Sequence, residues 1–141
     1  MIAVAEAKKR IAEHTPLLPP VELPLGEAGG MVLAEDIRSE IDMPPFHQSA
    51  MDGYAIRFDD LAAGIPLRLA GAIPAGTFPS APLNAGEAIR IFTGAPVPDG
   101  ADTVVMQERV AAEGDQIRID DPLLKRGDNV RPRASQTRTG D

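Results

Sequence analysis

Hydrophobic positions near the start of the chain repeat with a helical period. Residues 3–14 place Val4, Ala7 and Ile11 at helical spacing, with strong helix formers between them and Pro16 just beyond. This spacing predicts a short amphipathic helix. Its apolar stripe is thin, so we expect the helix to need a partner surface for stability.

The pattern after this helix is weaker. Residues 21–25 predict a strand interrupted by Pro24, and residues 27–33 predict a short helix weakened by Gly29 and Gly30. We assign residues 1–41 to an incomplete N-terminal lobe that consists of the helix and a linker.

From residue 42 onward, short apolar runs alternate with turn-forming residues. The segment 42–60 predicts an extended loop that enters a strand at Tyr54. Separated by Gly, Pro, Asn and Asp residues, further apolar runs occur at 67–70, 88–92, 103–106 and 116–119. This arrangement predicts bent β-sheets forming a barrel-like lobe over residues 42–141. The expected fold class is mainly β with a few short helices (α+β).

Composition and charge narrow the class of protein. The 141 residues include 13 glycines and 14 prolines, which fits a chain with many turns. The net charge of −7 disfavours binding to nucleic acid or to anionic membranes, because both need a basic surface. The lack of cysteine excludes disulfides and thiolate metal sites. With no signal-like or membrane-spanning apolar run, the sequence predicts a soluble, cytoplasmic protein.

Common catalytic signatures are missing from the sequence. It has no Gly-rich phosphate loop with lysine, no dinucleotide fingerprint, no HExxH and no GxSxG. The two histidines, His14 and His47, are isolated in the sequence. A bound metal would therefore use carboxylates, which favours a hard cation such as Mg²⁺.

The segment 49–55 (Ser-Ala-Met-Asp-Gly-Tyr-Ala) is the first candidate for chemistry. Taken alone, Asp52-Gly53 is best interpreted as a turn, because glycine accepts a positive φ and aspartate bonds to its own backbone. The functional alternative places Asp52 on a loop held by the following strand. Its carboxylate would then bind a cation or orient water.

Two other segments could contact an anion. At the end of an apolar run, the Thr93 hydroxyl and the Gly94 backbone N–H could act as donors to an oxyanion, although a simple hairpin end has the same pattern. Near the C-terminal end, Arg131 and Arg133 could make charge-assisted contacts to phosphate, although a solvated basic tail is the plainer interpretation.

Together these motifs resemble one family. Pro-Pro-Phe at 44–46, the segment 49–55, the run Ile-Phe-Thr-Gly-Ala-Pro-Val-Pro at 91–98, and Gly-Ala-Asp-Thr-Val-Val-Met-Gln-Glu at 100–108 occur in the order and spacing of the molybdopterin molybdenumtransferases. This is the MoeA family, which includes the E domain of gephyrin. The resemblance covers the chain from the first helix to Arg133. It implies that the chain corresponds to the N-terminal and central β-rich region of the family's members. The polar, turn-like end at residues 122–141 is typical of a chain that continues in the natural protein, although a frayed natural terminus has the same pattern.

The resemblance implies a reaction and its participants. Molybdate enters an adenylylated molybdopterin, AMP is released, and a divalent cation, Mg²⁺, assists. The enzyme is an elongated homodimer with its site between subunits, and a molybdopterin adenylyltransferase acts upstream. A larger α/β domain that holds the pterin phosphate is absent from this chain, so we expect the chain alone to be inactive. Whether the oxyanion is molybdate or tungstate stays open.

Carried over by motif, the resemblance implies specific roles. Asp52 matches the acid of Met-Asp-Gly and is assigned to cation binding or water orientation during AMP release. Thr93 matches the threonine of Thr-Gly-Ala-Pro and is assigned to substrate contact. Ser49, Gly94 and Arg131 are further substrate-binding candidates.

Two departures from the family pattern bear on this assignment. Many members have Asp-Asn where this chain has His47-Gln48, and many have Gly-Glu-Asp where this chain has Ala-Ser-Gln at 134–136. Gln136 cannot supply the negative charge of that acid, so we expect weaker cation affinity or compensation by another carboxylate. The same change supports a second hypothesis, a noncatalytic scaffold of the gephyrin type.

Overall fold

The computed structural model describes residues 2–64 and 66–141. They form two compact units, one up to Ile37 and one from Arg38 to Asp141. The boundary predicted from sequence, between residues 41 and 42, lies four residues later than this division. The difference has a physical cause, because Ser39 exchanges backbone hydrogen bonds with Gly140 and Asp141 at the far end of the chain.

The first unit contains the predicted helix, α1 (Val4–His14), followed by a 3₁₀ helix at Leu25–Glu27. The strand predicted at 21–25 and the helix predicted at 27–33 are wrong. Pro24 cannot donate to a strand ladder, and no strand pairs with this segment among the described residues. Several large apolar side chains of this unit are exposed, among them Val4, Ile11, Leu17 and Leu18. Within the described residues, no helix is long and apolar enough to cross a membrane.

The second unit is β-rich, which confirms the predicted fold class. Its strands are β1 (Gln48–Ser49), β2 (Gly53–Ile56), β3 (Leu67–Ile73), β4 (Glu87–Ile91), β5 (Thr103–Met106), β6 (Val110–Glu113), β7 (Gln116–Ile119) and β8 (Val130–Arg131). Short 3₁₀ helices occur at Phe58–Ala63 and Gln107–Arg109. The strands expected from the apolar runs are therefore present, whereas the two-residue strands β1 and β8 and the longer strand β6 were missed. β6 is the one of these three that belongs to a larger sheet. It forms a hairpin with β7 around Gly114, whose positive φ suits a two-residue turn.

Six strands form one sheet in the order β5-β2-β4-β3-β7-β6. Most neighbours are antiparallel, whereas β3 and β4 are parallel with an irregular register. β5 and β6 lie at opposite edges of this sheet, yet only the 3₁₀ turn Gln107–Arg109 separates them in the chain. The sheet must therefore curl, as the predicted barrel-like lobe requires.

The core lies on both faces of this curled sheet. Consecutive residues of a strand point to opposite faces, so Ala55 and Ile56 belong to different apolar clusters, as do Val104 and Val105. The first cluster also holds Ile73, Ile91 and Ala95, and the second holds Leu67, Ala88 and Ile117. Burial on both faces makes β2 and β5 central to the stability of this unit.

A small second sheet connects the start of the second unit to its C-terminal segment. In this sheet β1 pairs antiparallel with β8, and Asp42 contacts residues that follow β8. Its carboxylate accepts hydrogen bonds from Arg133 Nε at 2.7 Å and from the Thr139 N–H at 3.0 Å. The backbone N–H of Thr139, followed by the Arg133 guanidinium, holds the pKa of Asp42 below its usual value. Residues that looked like a solvated tail are thus attached to the lobe.

This attachment predicts a pH-dependent stability. A carboxyl whose pKa is lowered on folding stabilises the folded state above its unfolded pKa of about 3.9, and this contribution is lost as the pH falls further. Urea unfolding should therefore show Asp42→Asn less stable than the natural chain near neutral pH, with the difference shrinking below about pH 4. Asp99→Asn, at an exposed carboxylate, is the control. An Asp42→Asn deficit that does not change with pH would contradict the proposed ionic attachment.

Candidate active site

Asp52 is positioned by the short loop between β1 and β2. The Ser49 hydroxyl donates to the Met51 carbonyl at 2.5 Å, and the Gln107 N–H donates to the Asp52 carbonyl at 3.1 Å. Gly53 then starts β2, so the Asp52 side chain stands at the beginning of a buried strand while remaining exposed itself. This is the loop-then-strand arrangement expected from the sequence.

Thr93 reaches the same place from a different part of the chain. It follows the end of β4, and β4 pairs antiparallel with β2 so that Gly53 lies opposite Ile91. Asp52 Oδ1 accepts hydrogen bonds from the Thr93 N–H at 2.8 Å and from the Thr93 hydroxyl at 2.7 Å. The structure therefore joins the two residues of the Met-Asp-Gly and Thr-Gly-Ala-Pro motifs, which lie 41 positions apart.

These contacts keep the Asp52 carboxylate charged. The Thr93 backbone N–H and then the Thr93 hydroxyl lower the pKa of Asp52. Desolvation opposes them, and the Arg90 charge is the weakest of the effects that lower this pKa. Hydrogen bonds to a carboxylate favour its ionised form. Both Thr93 donors bind Oδ1, and within the described residues no hydrogen bond reaches Oδ2. Asp52 thus presents a negatively charged oxygen at the surface.

The structure shows which groups three of the predicted donors contact. Ser49 is completely buried, and its hydroxyl donates to the Met51 carbonyl within the loop, so its contact with substrate stays a prediction. The Gly94 N–H donates to the Ser49 carbonyl at 2.9 Å and is not free for an oxyanion. The Thr93 hydroxyl donates to Asp52, so it too is already used. Both predicted oxyanion donors therefore have acceptors within the protein, and their contact with substrate stays a prediction.

Arg131 lies in β8 opposite Gln48 and is exposed. No hydrogen bond or ion pair of its side chain occurs within the described residues, and its contact with phosphate stays a prediction. His47 lies close by, where its Nδ1 accepts the Arg133 N–H at 3.3 Å.

Gln136 is exposed, and its backbone N–H donates to the Met43 carbonyl at 2.9 Å. Across residues 2–64 and 66–141, no three acidic or histidine side chains are grouped to hold a metal.

Sequence reasoning missed two residues beside Asp52. Arg90 Nη1 donates to the Gly53 carbonyl at 2.8 Å, and Arg90 Nη2 donates to Gln107 Oε1. The signal that could have found Arg90 is a charged residue inside the apolar run of β4, two positions before Phe92.

The curled, β-rich lobe and the contact between its Met-Asp-Gly and Thr-Gly-Ala-Pro motifs define a class of protein. Comparison with known protein families identifies this class. The family described as "MoeA N-terminal region (domain I and II)" matches residues 2–141. The chain belongs to this family.

Individual relatives agree with this membership. A molybdopterin molybdenumtransferase of Haemophilus influenzae is 37% identical over the whole chain, and one of Nostoc is 41% identical over 82% of it. A crystal structure of a molybdopterin biosynthesis moeA protein from Pyrococcus horikoshii superposes with a TM-score of 0.78 at 40% identity, over 84% of this chain and 32% of that one. The chain spans 35% of the Haemophilus relative and 28% of the Nostoc relative, about a third of their length.

Proposed function

We propose that this chain is the N-terminal part of a molybdopterin molybdenumtransferase. In the complete protein, molybdate would be inserted into adenylylated molybdopterin and AMP released. The names of the relatives support the reaction class. The observation that carries the proposal is the hydrogen-bonded Asp52–Thr93 pair, because it places an ionised, exposed carboxylate on the loop of the Met-Asp-Gly motif and joins it to the Thr-Gly-Ala-Pro motif.

Asp52 is suited to orient water or to take part in cation binding. The Thr93 bonds fix Oδ1, and the carboxylate keeps Oδ2 available to a water or to a ligand. Thr93 acts in this proposal through Asp52, since its donors already bind that carboxylate. A fixed, ionised carboxylate beside the scissile phosphate could orient the attacking water by accepting a hydrogen bond from it.

Mg²⁺ fits this site as a partner of a single carboxylate. The ion prefers oxygen ligands and commonly combines one or two carboxylates with waters and substrate phosphates. Asp52 would supply one such oxygen, and when bound the ion would neutralise charge on the phosphates. The remaining ligands would come from substrate, water or the rest of the protein. Gln136, which stands where many family members have an acid, is then compatible with a site of lower cation affinity.

A homodimer belongs to the same proposal. The exposed apolar residues of the first unit, such as Leu17 and Leu18, are costly to leave in water and would be covered by a partner surface. A molybdopterin adenylyltransferase would supply the adenylylated substrate.

The test of the proposed function is AMP release by the complete protein. Purified protein given adenylylated molybdopterin, molybdate and Mg²⁺ should release AMP at a rate that depends on both the oxyanion and the cation. The 141-residue chain under the same conditions should release none, because the family resemblance places the pterin-binding part of the site in a further domain and catalysis depends on positioning by both parts. Turnover by the isolated chain would contradict that second expectation.

The scaffold alternative rests on Gln136, which lacks the charge of the family acid. It predicts that the complete protein binds a partner protein but neither releases AMP nor binds adenylylated molybdopterin together with Mg²⁺. Calorimetry of the complete protein with that substrate, with and without Mg²⁺, separates the two functions. Coupled binding favours the transferase, and its absence favours the scaffold.

A further inference from the structure

We propose that Arg90 is a positioning residue for the Asp52 site. It donates to the backbone on the Asp52 side of the Asp52–Thr93 contact and lies against the Phe92 ring on the Thr93 side, and this inference deepens the proposed function on which it rests. Nothing in the family motifs described above assigns a role to this arginine.

The first contact is with the Asp52 loop. Arg90 Nη1 donates to the Gly53 carbonyl at 2.8 Å, while Nη2 donates to Gln107 Oε1. The Gln107 backbone N–H in turn donates to the Asp52 carbonyl at 3.1 Å. Two successive carbonyls, those of residues 52 and 53, are therefore fixed by Arg90 and by its hydrogen-bond partner. The direction in which the Asp52 side chain leaves the backbone depends on this arrangement.

Aromatic contacts fix the guanidinium itself. Its central carbon lies 5.2 Å from the centre of the Tyr54 ring and 4.7 Å from that of Phe92. Tyr54 lies directly opposite Arg90 in the β2–β4 pair, and Phe92 lies two positions further along the chain from Arg90. A planar guanidinium can contact aromatic rings and still direct two N–H groups at separate acceptors, which a lysine ammonium cannot do in the same way.

The two rings belong to the two segments that form the site. Tyr54 follows Asp52 by two residues, and Phe92 directly precedes Thr93. Arg90 therefore contacts both the segment of Thr93, which donates the hydrogen bonds, and the segment of Asp52, which accepts them. A small movement of either segment would lengthen the 2.7 and 2.8 Å bonds that fix Oδ1.

Arg68 provides a matched contrast on the neighbouring strand β3. It is also a partly exposed arginine of the same sheet, and it pairs with Glu87. No contact of Arg68 with Asp52 or Thr93 is found in the described part of the chain. Replacing Arg68 therefore tests the general effect of removing an arginine from this sheet.

The structural test follows the Thr93 amide proton by NMR in the 141-residue chain. Asp52→Ala, which removes the acceptor, defines the signal of the unbonded amide. In Arg90→Lys the Thr93 signal should move toward that of Asp52→Ala, while core amides such as Val104 stay in place and Arg68→Lys leaves Thr93 unchanged. A Thr93 amide that does not respond to Arg90→Lys overturns the inference, whatever the activity of the protein.

The kinetic test is a double-mutant cycle in the complete protein. Arg90→Lys should lower kcat for AMP release by about tenfold, the size typical of residues that orient a ligand. In an Asp52→Asn background the same change should cost less than about twofold, because residues that act as a unit are not additive. Equal effects in both backgrounds would show that Arg90 acts independently of Asp52. If Asp52→Asn alone has no effect, the proposed role of Asp52 fails, while the NMR result still decides on Arg90.

Discussion

Gly53→Ala should destabilise the second unit more than any other single methyl addition in the β2 region. A Cβ at position 53 would lie 1.9 Å from the Val105 carbonyl oxygen and 2.8 Å from its carbon. Both atoms are backbone, and β2 and β5 are paired at this point, so neither strand can move without losing ladder hydrogen bonds. We expect a loss of at least about 3 kcal/mol, a large part of the stability of a small domain.

Urea unfolding followed by circular dichroism measures this loss. Gly29→Ala, in the first unit, controls for the general effect of a glycine-to-alanine change, because nothing lies within 4 Å of a Cβ there and its φ lies outside the left-handed region. The control should differ from the natural chain by no more than about 0.5 kcal/mol. An unfolding midpoint of Gly53→Ala equal to that of the control would show that the β2–β5 contact is looser than described.

Asp52→Asn should have the largest effect on activity of the complete protein. Asparagine keeps an oxygen that can accept the Thr93 bonds, but it removes the negative charge proposed to orient the attacking water or to bind a cation. The loss of a positioned acid or base typically lowers a rate by about 10²- to 10⁴-fold. AMP release should fall into that range, while folding stability changes little because the side chain is exposed.

Two further variants serve as comparisons for the activity of Asp52→Asn. Thr93→Val keeps the backbone N–H bond and removes only the hydroxyl bond, so its rate should fall less than that of Asp52→Asn. Asp120→Asn, at an exposed carboxylate at the end of β7, should retain full activity. Full activity in Asp52→Asn would remove this carboxylate from the mechanism.

The strands of the second unit were predictable because their signal is local. Apolar runs of four or five residues between Gly, Pro and Asn clusters located β3, β4, β5 and β7. The hairpin strand β6 was missed because Val110 is its single large apolar residue, and the other three are mostly exposed. In the first unit, 21–25 resembles a strand locally but has no pairing partner in the described structure. A strand needs a neighbour, and sequence spacing alone does not supply one.

The sequence by itself singled out the two loops proposed to carry the chemistry, because Asp52-Gly53 and Thr93-Gly94 lie in two motifs that resemble the same family and each stands next to an apolar run. Only the tertiary structure decided how those residues are used. The β2–β4 register brings Thr93 onto Asp52, buries the Ser49 hydroxyl and engages the Gly94 N–H within the protein. Contacts between residues 41 positions apart depend on strand pairing and curl, which are properties of the whole sheet and leave no local pattern in the chain.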